Sequence, residues 1–314
     1  MALNSQLSSA LVWLTLAAPA AAQIEINPPP DPTVIRMDVA LVNLLCTVRD
    51  KSGAYVQDLS KNDFAVLDNG RRQTITHFGR QVDTPLTVAL LLDVSGSVTN
   101  VLDLEKAAAG RFFLHVLRPG DAALLVGFAQ YVLVWQDLTS SRDNLQHALE
   151  GAGPMEGLPN GPPARGGTLL LDAVNLVAAR KLKQLPGRKA IVLITDGEDN
   201  GSRARLDEVV QAAQQADAVI YGIHYADEES SIGNGLAALE RMSGPTGGRT
   251  FHVDHKMTLE KIFAAIEEEM RNQYGLGYAP PEPSKSGAFH KVEVKVLKPG
   301  LKVQSRDGYY AAQK

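Results

Sequence analysis

Residues 86–97 read Leu-Thr-Val-Ala-Leu-Leu-Leu-Asp-Val-Ser-Gly-Ser. Val88 to Leu92 is an unbroken apolar run that stops on a carboxylate, Asp93, at the head of a small turn of hydroxyl residues and glycine. A strand with one wet face alternates apolar and polar residues. A run without a polar break suits a strand covered on both faces, as in a parallel sheet flanked by helices. Three more runs share this character, at 122–126, 190–194 and 218–221. Helical patterns lie near 101–117, 168–184 and 207–216, and a last one at 258–272 puts Leu259, Ile262, Phe263, Ile266 and Met270 on one face. Alternating strands and helices predict a doubly wound α/β domain over residues 86–272.

The grammar is different on either side. From Thr33 to Phe78 the signals are β: a Val-, Leu- and Ile-rich stretch from Val34 to Val48, a Lys51-Ser52-Gly53 turn, then 64–67 and 73–78 flanking Asp68-Asn69-Gly70. Asn-Gly between two apolar runs is a strong hairpin signal. After Asn272 the β pattern returns at 274–278, and again at 291–296, where Lys291-Val292-Glu293-Val294-Lys295-Val296 alternates with period two. Pro299-Gly300 then turns into 301–305. Each flank alone has few strands, and isolated hairpins are marginal in water. The flanks, 33–82 and 273–314, are therefore expected to form one discontinuous, sandwich-like all-β module with the α/β domain inserted between them.

The first 22 residues contain no charged side chain, and Leu11 to Leu16 begins an apolar core that ends in Ala20-Ala21-Ala22. This reads as a secretory signal peptide lacking the usual positive start, too short and Ala-rich for a membrane span. Residues 23–32, with Pro28, Pro29, Pro30 and Pro32, read as an extended spacer. The expectation is an exported protein, periplasmic or extracellular. Cys46 is the sole cysteine, set among Leu44, Leu45 and Val48, and reads as a small buried hydrophobe. A net charge of -4 over 314 residues argues against a general affinity for nucleic acid.

The informative residues stand where strands end. Asp93-Val94-Ser95-Gly96-Ser97 follows the first α/β strand, Thr195-Asp196-Gly197 follows the run at 190–194, and Gly166-Gly167-Thr168 opens a helix. In open α/β sheets ligands bind beyond the carboxyl ends of strands, where strand order reverses. If the segments converge, Asp93 and Asp196 bring carboxylates, while Ser95, Ser97 and Thr168 bring neutral hydroxyls. An all-oxygen set suits magnesium, manganese or calcium rather than zinc or copper. Each residue also has a plainer use: Asp93, Ser97 or Thr168 as a helix cap, and Asp196-Gly197 as a turn pair. His252 and His255 read as two surface histidines sent to opposite faces of a strand. Glu267-Glu268-Glu269 reads as the solvated side of a helix. No Walker A or Gly-x-Ser-x-Gly sequence is present.

Taken together, Asp93-x-Ser95-x-Ser97, Thr168 and Asp196 resemble the metal-ion-dependent adhesion site of von Willebrand factor type A domains, with no departure from that pattern. The flanks, including Val66 to Gly70 and Tyr309-Tyr310, also resemble a bacterial, often acidobacterial, group of secreted relatives. The resemblance implies a Rossmann-like sheet and one Mg2+ (or Mn2+ or Ca2+) used mainly to bind other proteins. In the family's pattern Ser95, Ser97 and Thr168 touch the ion, and Asp93 and Asp196 act directly or through water. The reading is a non-enzymatic adhesion or scaffold protein whose ion accepts an Asp or Glu from a protein partner. Residues 151–167, with six glycines and four prolines, would form the selecting rim through Met155, Glu156, Asn160 and Arg165. The alternatives are a metal-dependent hydrolase, for which Glu198 and Asp199 are the only nearby candidate bases, and a purely structural envelope protein.

Overall fold

The computed structural model describes residues 41–81, 84–96, 102–155, 167–225, 232–280 and 286–311. The leader (1–22), the spacer (23–32), Ser97, Glu156, Asn160 and Arg165 lie outside the described residues. The apolar run around Leu90 is strand β5 (Leu86–Asp93), and all eight of its residues are buried. It lies in a six-stranded sheet with β6 (Ala122–Phe128), β7 (Val132–Thr139), β8 (Arg188–Thr195), β9 (Ala218–His224) and β10 (Thr250–His252), in the order β10-β9-β8-β5-β6-β7. All neighbours are parallel except β6 and β7.

The double covering that the apolar run implied is visible residue by residue. Val88, Leu90 and Leu92 pack on one side with Phe112 and Phe113 of α1 (Leu102–Val116), Leu145 and Leu149 of α2 (Arg142–Gly151), and Ile262, Phe263 and Ile266 of α6 (Leu259–Arg271). Phe112 stacks on Phe263 at 4.5 Å between ring centres. Ala89 and Leu91 face the other way. They meet Ala173 and Val174 of α3 (Leu170–Leu176), Val209 and Ala213 of α4 (Leu206–Gln215), and Leu239 and Met242 of α5 (Ile232–Ser243). The first strand of this sheet, β5, sits between the second, β6, and the fourth, β8. The strand order therefore reverses between β5 and β8.

Two antiparallel sheets complete the fold. One has the order β13-β1-β11-β4 and the other β14-β12-β2-β3. Here β1 is Val42–Arg49, β2 Phe64–Asp68, β3 Arg71–Gln73, β4 His77–Arg80, β11 Tyr274–Tyr278, β12 Phe289–Val296, β13 Lys302–Ser305 and β14 Gly308–Tyr310. Strands from both ends of the chain interleave. Leu44 on β1 opposes Leu276 on β11, Val48 opposes Val303 on β13, and Val66 on β2 opposes Val294 on β12. Their inward residues form one core with Phe64, Tyr274, Tyr278 and Tyr309. Asn69 and Gly70 take positive φ, 47° and 79°, and make the tight turn between β2 and β3. Cys46 is buried there, its thiol pushed up to about 12 by burial. That is an inert side chain, since the thiolate is the reactive form.

Two expectations need correcting. The stretch 73–78 is not one strand: β3 ends at Gln73 in one sheet, and β4 starts at His77 in the other. The chain crosses the sandwich between them, with Ile75 buried and the Thr76 N–H and hydroxyl both donating to the Gly277 carbonyl. The acidic triplet is not wholly solvated either. Glu269 is 1% exposed; it pairs with Arg49 and with Arg249, the latter at 2.9 Å. It also accepts from the Tyr55 hydroxyl at 3.2 Å and the Gln304 amide at 3.0 Å. At 100° per residue, three successive helical glutamates cannot share one face, and Glu269 falls on the stripe of Ile266 and Met270.

Candidate metal centre

The site grows from the reversal between β5 and β8. Leu92 is in register with Ile194, which sets Asp93 beside Thr195 at the carboxyl edge of the sheet. The Thr195 hydroxyl donates to Asp93 Oδ2 at 2.6 Å, the Ser95 N–H donates to Oδ1 at 2.9 Å, and the Gly197 N–H donates to Thr195 Oγ1 at 3.0 Å. Asp93 is fully buried. Burial pushes its carboxyl up to about 6; nearby Asp196 adds to the rise, while bonds from Ser95 and Thr195 oppose it.

Asp196 follows, half-buried, its Oδ1 accepting from the Glu198 N–H at 3.0 Å. The turn is held by close backbone packing against α5. Gly197 has φ +80°, and a Cβ there would stand 2.4 Å from the Gly235 carbonyl oxygen; a Cβ on Gly235 would stand 1.9 Å from that of Asp196. Neither position can carry a side chain without moving the loop that presents Asp196.

Thr168 is 5% exposed and is fastened to the same loop. Its N–H donates to Asn200 Oδ1 at 2.6 Å, and its carbonyl accepts from the Asn200 N–H at 3.3 Å. Asp199 accepts from the Leu171 N–H and the Ser202 hydroxyl, and Asp172 accepts from the Arg203 and Ala204 N–H groups. These bonds stitch residues 199–204 to the start of α3 and carry Thr168 to the loop bearing Asp196. The cap of α3 is Leu169, so Thr168 is not its N-cap. Asp199, a candidate base in the hydrolase reading, is engaged in this stitching.

Two residues at this edge were missed in the sequence. Glu105 is fully buried on α1, and neither carboxylate oxygen has a hydrogen-bond partner among the described residues. Burial, and then the Asp93 charge, push it up to about 8. The signal was present in the helical spacing: Leu102, Glu105, Ala109, Phe112 and Val116 recur as an inward stripe. His224 ends β9 in register with Thr195 and is fully buried. Its Nδ1 lies 2.9 Å from Nδ1 of His252, and burial, then His252, hold its pKa below the usual value. His252 is therefore half-buried and paired, which corrects its reading as an ordinary surface histidine, while His255 is exposed. Met155 also departs from expectation: it is 9% exposed among Val94, Leu102 and Ala129, so its side chain serves a small core rather than an outer rim.

The residues fit a hard cation on two counts. The electrostatics are one-sided: Asp196 raises Asp93, Asp93 raises Glu105, and Glu105 is left without a partner. A buried carboxylate without a partner is expensive until a proton or a cation compensates it. The donors at the loop ends are carboxylate and hydroxyl oxygens, the ligand chemistry of magnesium, manganese and calcium. Among the described residues no group of three or more His, Cys, Asp and Glu side chains is arranged to hold an ion. An ion here would thus depend on Ser and Thr hydroxyls to complete its shell.

Residues 88–198 match the family model of the von Willebrand factor type A domain. Calcium-activated chloride channel regulator 1 of Bos taurus is 27% identical over 185 residues, 57% of this chain and 19% of that protein. Calcium-activated chloride channel regulator 4 of Homo sapiens is 30% identical over 171 residues, 53% of this chain and 17% of that protein. The match thus spans less than a fifth of the length of these relatives. Among solved structures, a von Willebrand factor type A protein of Catenulispora acidiphila is 15% identical with a TM-score of 0.48, covering 81% of this chain and 76% of that one.

Proposed function

We propose that this chain, which carries a von Willebrand factor type A domain, is an exported binding protein that recognises a protein partner through a divalent ion at the carboxyl edge of β5 and β8. The ion would be held by the hydroxyls of Ser95, Ser97 and Thr168, with Asp93 and Asp196 as direct or water-bridged carboxylates. Bound there, Mg2+ (or Mn2+ or Ca2+) supplies positive charge and an open position for an outside carboxylate. The chain's own part is to present neutral hydroxyls, which leave much of the ion's double charge unspent, and to keep Asp93 rigid between Ser95 and Thr195. An Asp or Glu of the partner is then attracted; two unit charges 4 Å apart at an effective dielectric of 20 attract by about 4 kcal/mol before desolvation is subtracted. Glu156, Asn160 and Arg165 would form the rim that selects among carboxylates.

The observation that carries this reading is the meeting of oxygen donors where the strand order reverses: buried Asp93 at the end of β5, Asp196 on the loop after β8, and Thr168 bonded to that loop through Asn200. The domain division follows from the same reading: an α/β domain over 86–272 inserted into a β module built from 33–82 and 273–314. Export is supported by the uncharged leader, and among the described residues no helix is long and apolar enough to cross a membrane.

The test is capture of a partner from envelope extract in magnesium and in chelator, with Asp196→Ala as control. A partner retained only by wild type in magnesium, and lost when one of its own Asp or Glu residues becomes Asn or Gln, is the expected result. A partner that survives chelator, or survives every acidic substitution, places recognition on another surface.

A further inference from the structure

At the opposite edge of the central sheet lies a cavity of about 470 Å3. Its walls come from the amino ends of β8 and β9, from β1, and from Arg306 between β13 and β14. Four cations line it, Lys183, Arg188, Lys189 and Arg306, against one carboxylate among the described lining residues, Asp217. Three of the four are nine-tenths or more buried: Arg188 at 7%, Lys189 at 6% and Arg306 at 9% exposure.

What these cations touch is mostly neutral. Arg188 donates to the carbonyls of Thr84 at 3.0 Å and Met270 at 2.5 Å. Lys189 donates to the carbonyls of Leu185 at 2.9 Å and Gly187 at 3.3 Å, and Lys183 to the Gln215 side-chain oxygen at 3.1 Å. Arg306 pairs with Asp217 and donates to the Asn43 carbonyl at 2.8 Å, yet its Nε is buried without a partner. Carbonyls satisfy hydrogen bonds but do not neutralise charge. Carboxylates offset part of this charge: Asp217 acts on Lys189 ahead of the opposing Arg306, and Asp121, outside the lining, acts on Arg188 ahead of the opposing Arg118 and Arg271. The result is a concave, partly enclosed region of excess positive charge, within the ~300–1,000 Å3 usual for small-molecule sites.

We propose that this cavity is a second binding site, for a compact polyanion bearing phosphate or carboxylate groups, held between the amino end of β8 and Arg306. Arg306 Nε, buried without a partner among the described residues, would donate to an oxyanion oxygen, and Lys183, Arg188 and Lys189 add positive charge. The site is independent of the metal reading and shares no residue with it.

The test is calorimetric titration of the full chain with pyrophosphate and, separately, citrate, in metal-free buffer at constant ionic strength. Wild type is expected to bind at least one of them at a single site. Pyrophosphate alone marks a phosphate site; both mark an oxyanion site read by charge. Lys183→Glu, at an exposed position, and Lys189→Met should each weaken binding by about tenfold or more, the loss expected for one charged contact. Asp196→Ala should leave it unchanged. No heat with either anion, or affinity unchanged in Lys183→Glu, overturns the proposal. A Lys189→Met protein that loses only thermal stability would mean that these cations merely cap carbonyls. Should that variant fail to fold, Lys183→Glu alone decides.

Discussion

Replacing Glu105 with Gln tests the electrostatics of the candidate metal site from the side of stability. Glu105 is fully buried, both oxygens are unpartnered, and its carboxyl is pushed from its ordinary 4.5 up to about 8. A folded-state value above the unfolded one means that the unfolded chain releases its proton first as pH rises. Stability is therefore complete below pH 4.5 and falls as pH climbs through the window from 4.5 to about 8. The slope is about 1.4 kcal/mol per pH unit, which accumulates to roughly 3 kcal/mol at pH 7. Gln keeps the shape and removes the ionisation. Denaturant unfolding in metal-free buffer should find Glu105→Gln equal to wild type near pH 4.5 and more stable by roughly 3 kcal/mol at pH 7. Saturating magnesium should narrow that gap, because a nearby cation favours the ionised carboxylate. A gap that does not change with pH would refute the reasoning: Glu105 would then be compensated by something other than a proton or a metal.

Other consequences follow from the packing. Glu269→Ala leaves Arg49 and Arg249 facing an emptied site, and should cost about 2–3 kcal/mol in chemical denaturation, since both arginines reach solvent in part; a loss below about 0.5 kcal/mol would make the network incidental. Truncation after Gln273 removes β11 and β13, both neighbours of β1, so limited proteolysis should cut the 41–80 region quickly, whereas unchanged protection would contradict the interleaved pairing. Replacing residues 156–163 with a short Gly-Ser linker should leave metal affinity within about twofold and reduce capture of the partner by tenfold or more, as expected for a rim that selects without holding the ion; equal capture removes the rim's role.

How far the sequence could be read depended on which physical signal each part carries. The strands β5, β6, β8 and β9 were legible because burial on both faces leaves no polar break. The Asn69-Gly70 turn was legible because two successive positive φ values select those residues. By contrast, β7 is only half-buried and β10 is three residues long, so neither shows a distinct period. The helix α2 has mainly Leu145 and Leu149 facing inward, too few to show a period, and it starts at a Ser141 cap that accepts from the Asn144 N–H. In the candidate site, Asp93, Ser95, Thr168 and Asp196 were singled out because their chemistry and order in the chain point the same way. Glu105 was missed because a charged residue on an inward stripe is usually discounted. Its spacing carried the information that its residue type concealed. His224 was missed because its importance lies in standing next to β8 and β10, a property of strand order that no local pattern contains.

The central claim is that these side chains hold a divalent ion, and calorimetric titration of Mg2+, Mn2+ and Ca2+ into the wild-type chain tests it most directly, with Asp93→Ala, Asp196→Ala and Thr168→Val alongside. The account predicts one ion per wild-type chain, no measurable binding in either Asp variant, and weakened binding in Thr168→Val with the fold intact by circular dichroism. Binding of equal affinity in wild type and both Asp variants, or no binding of any of the three ions to the folded wild type, would contradict it.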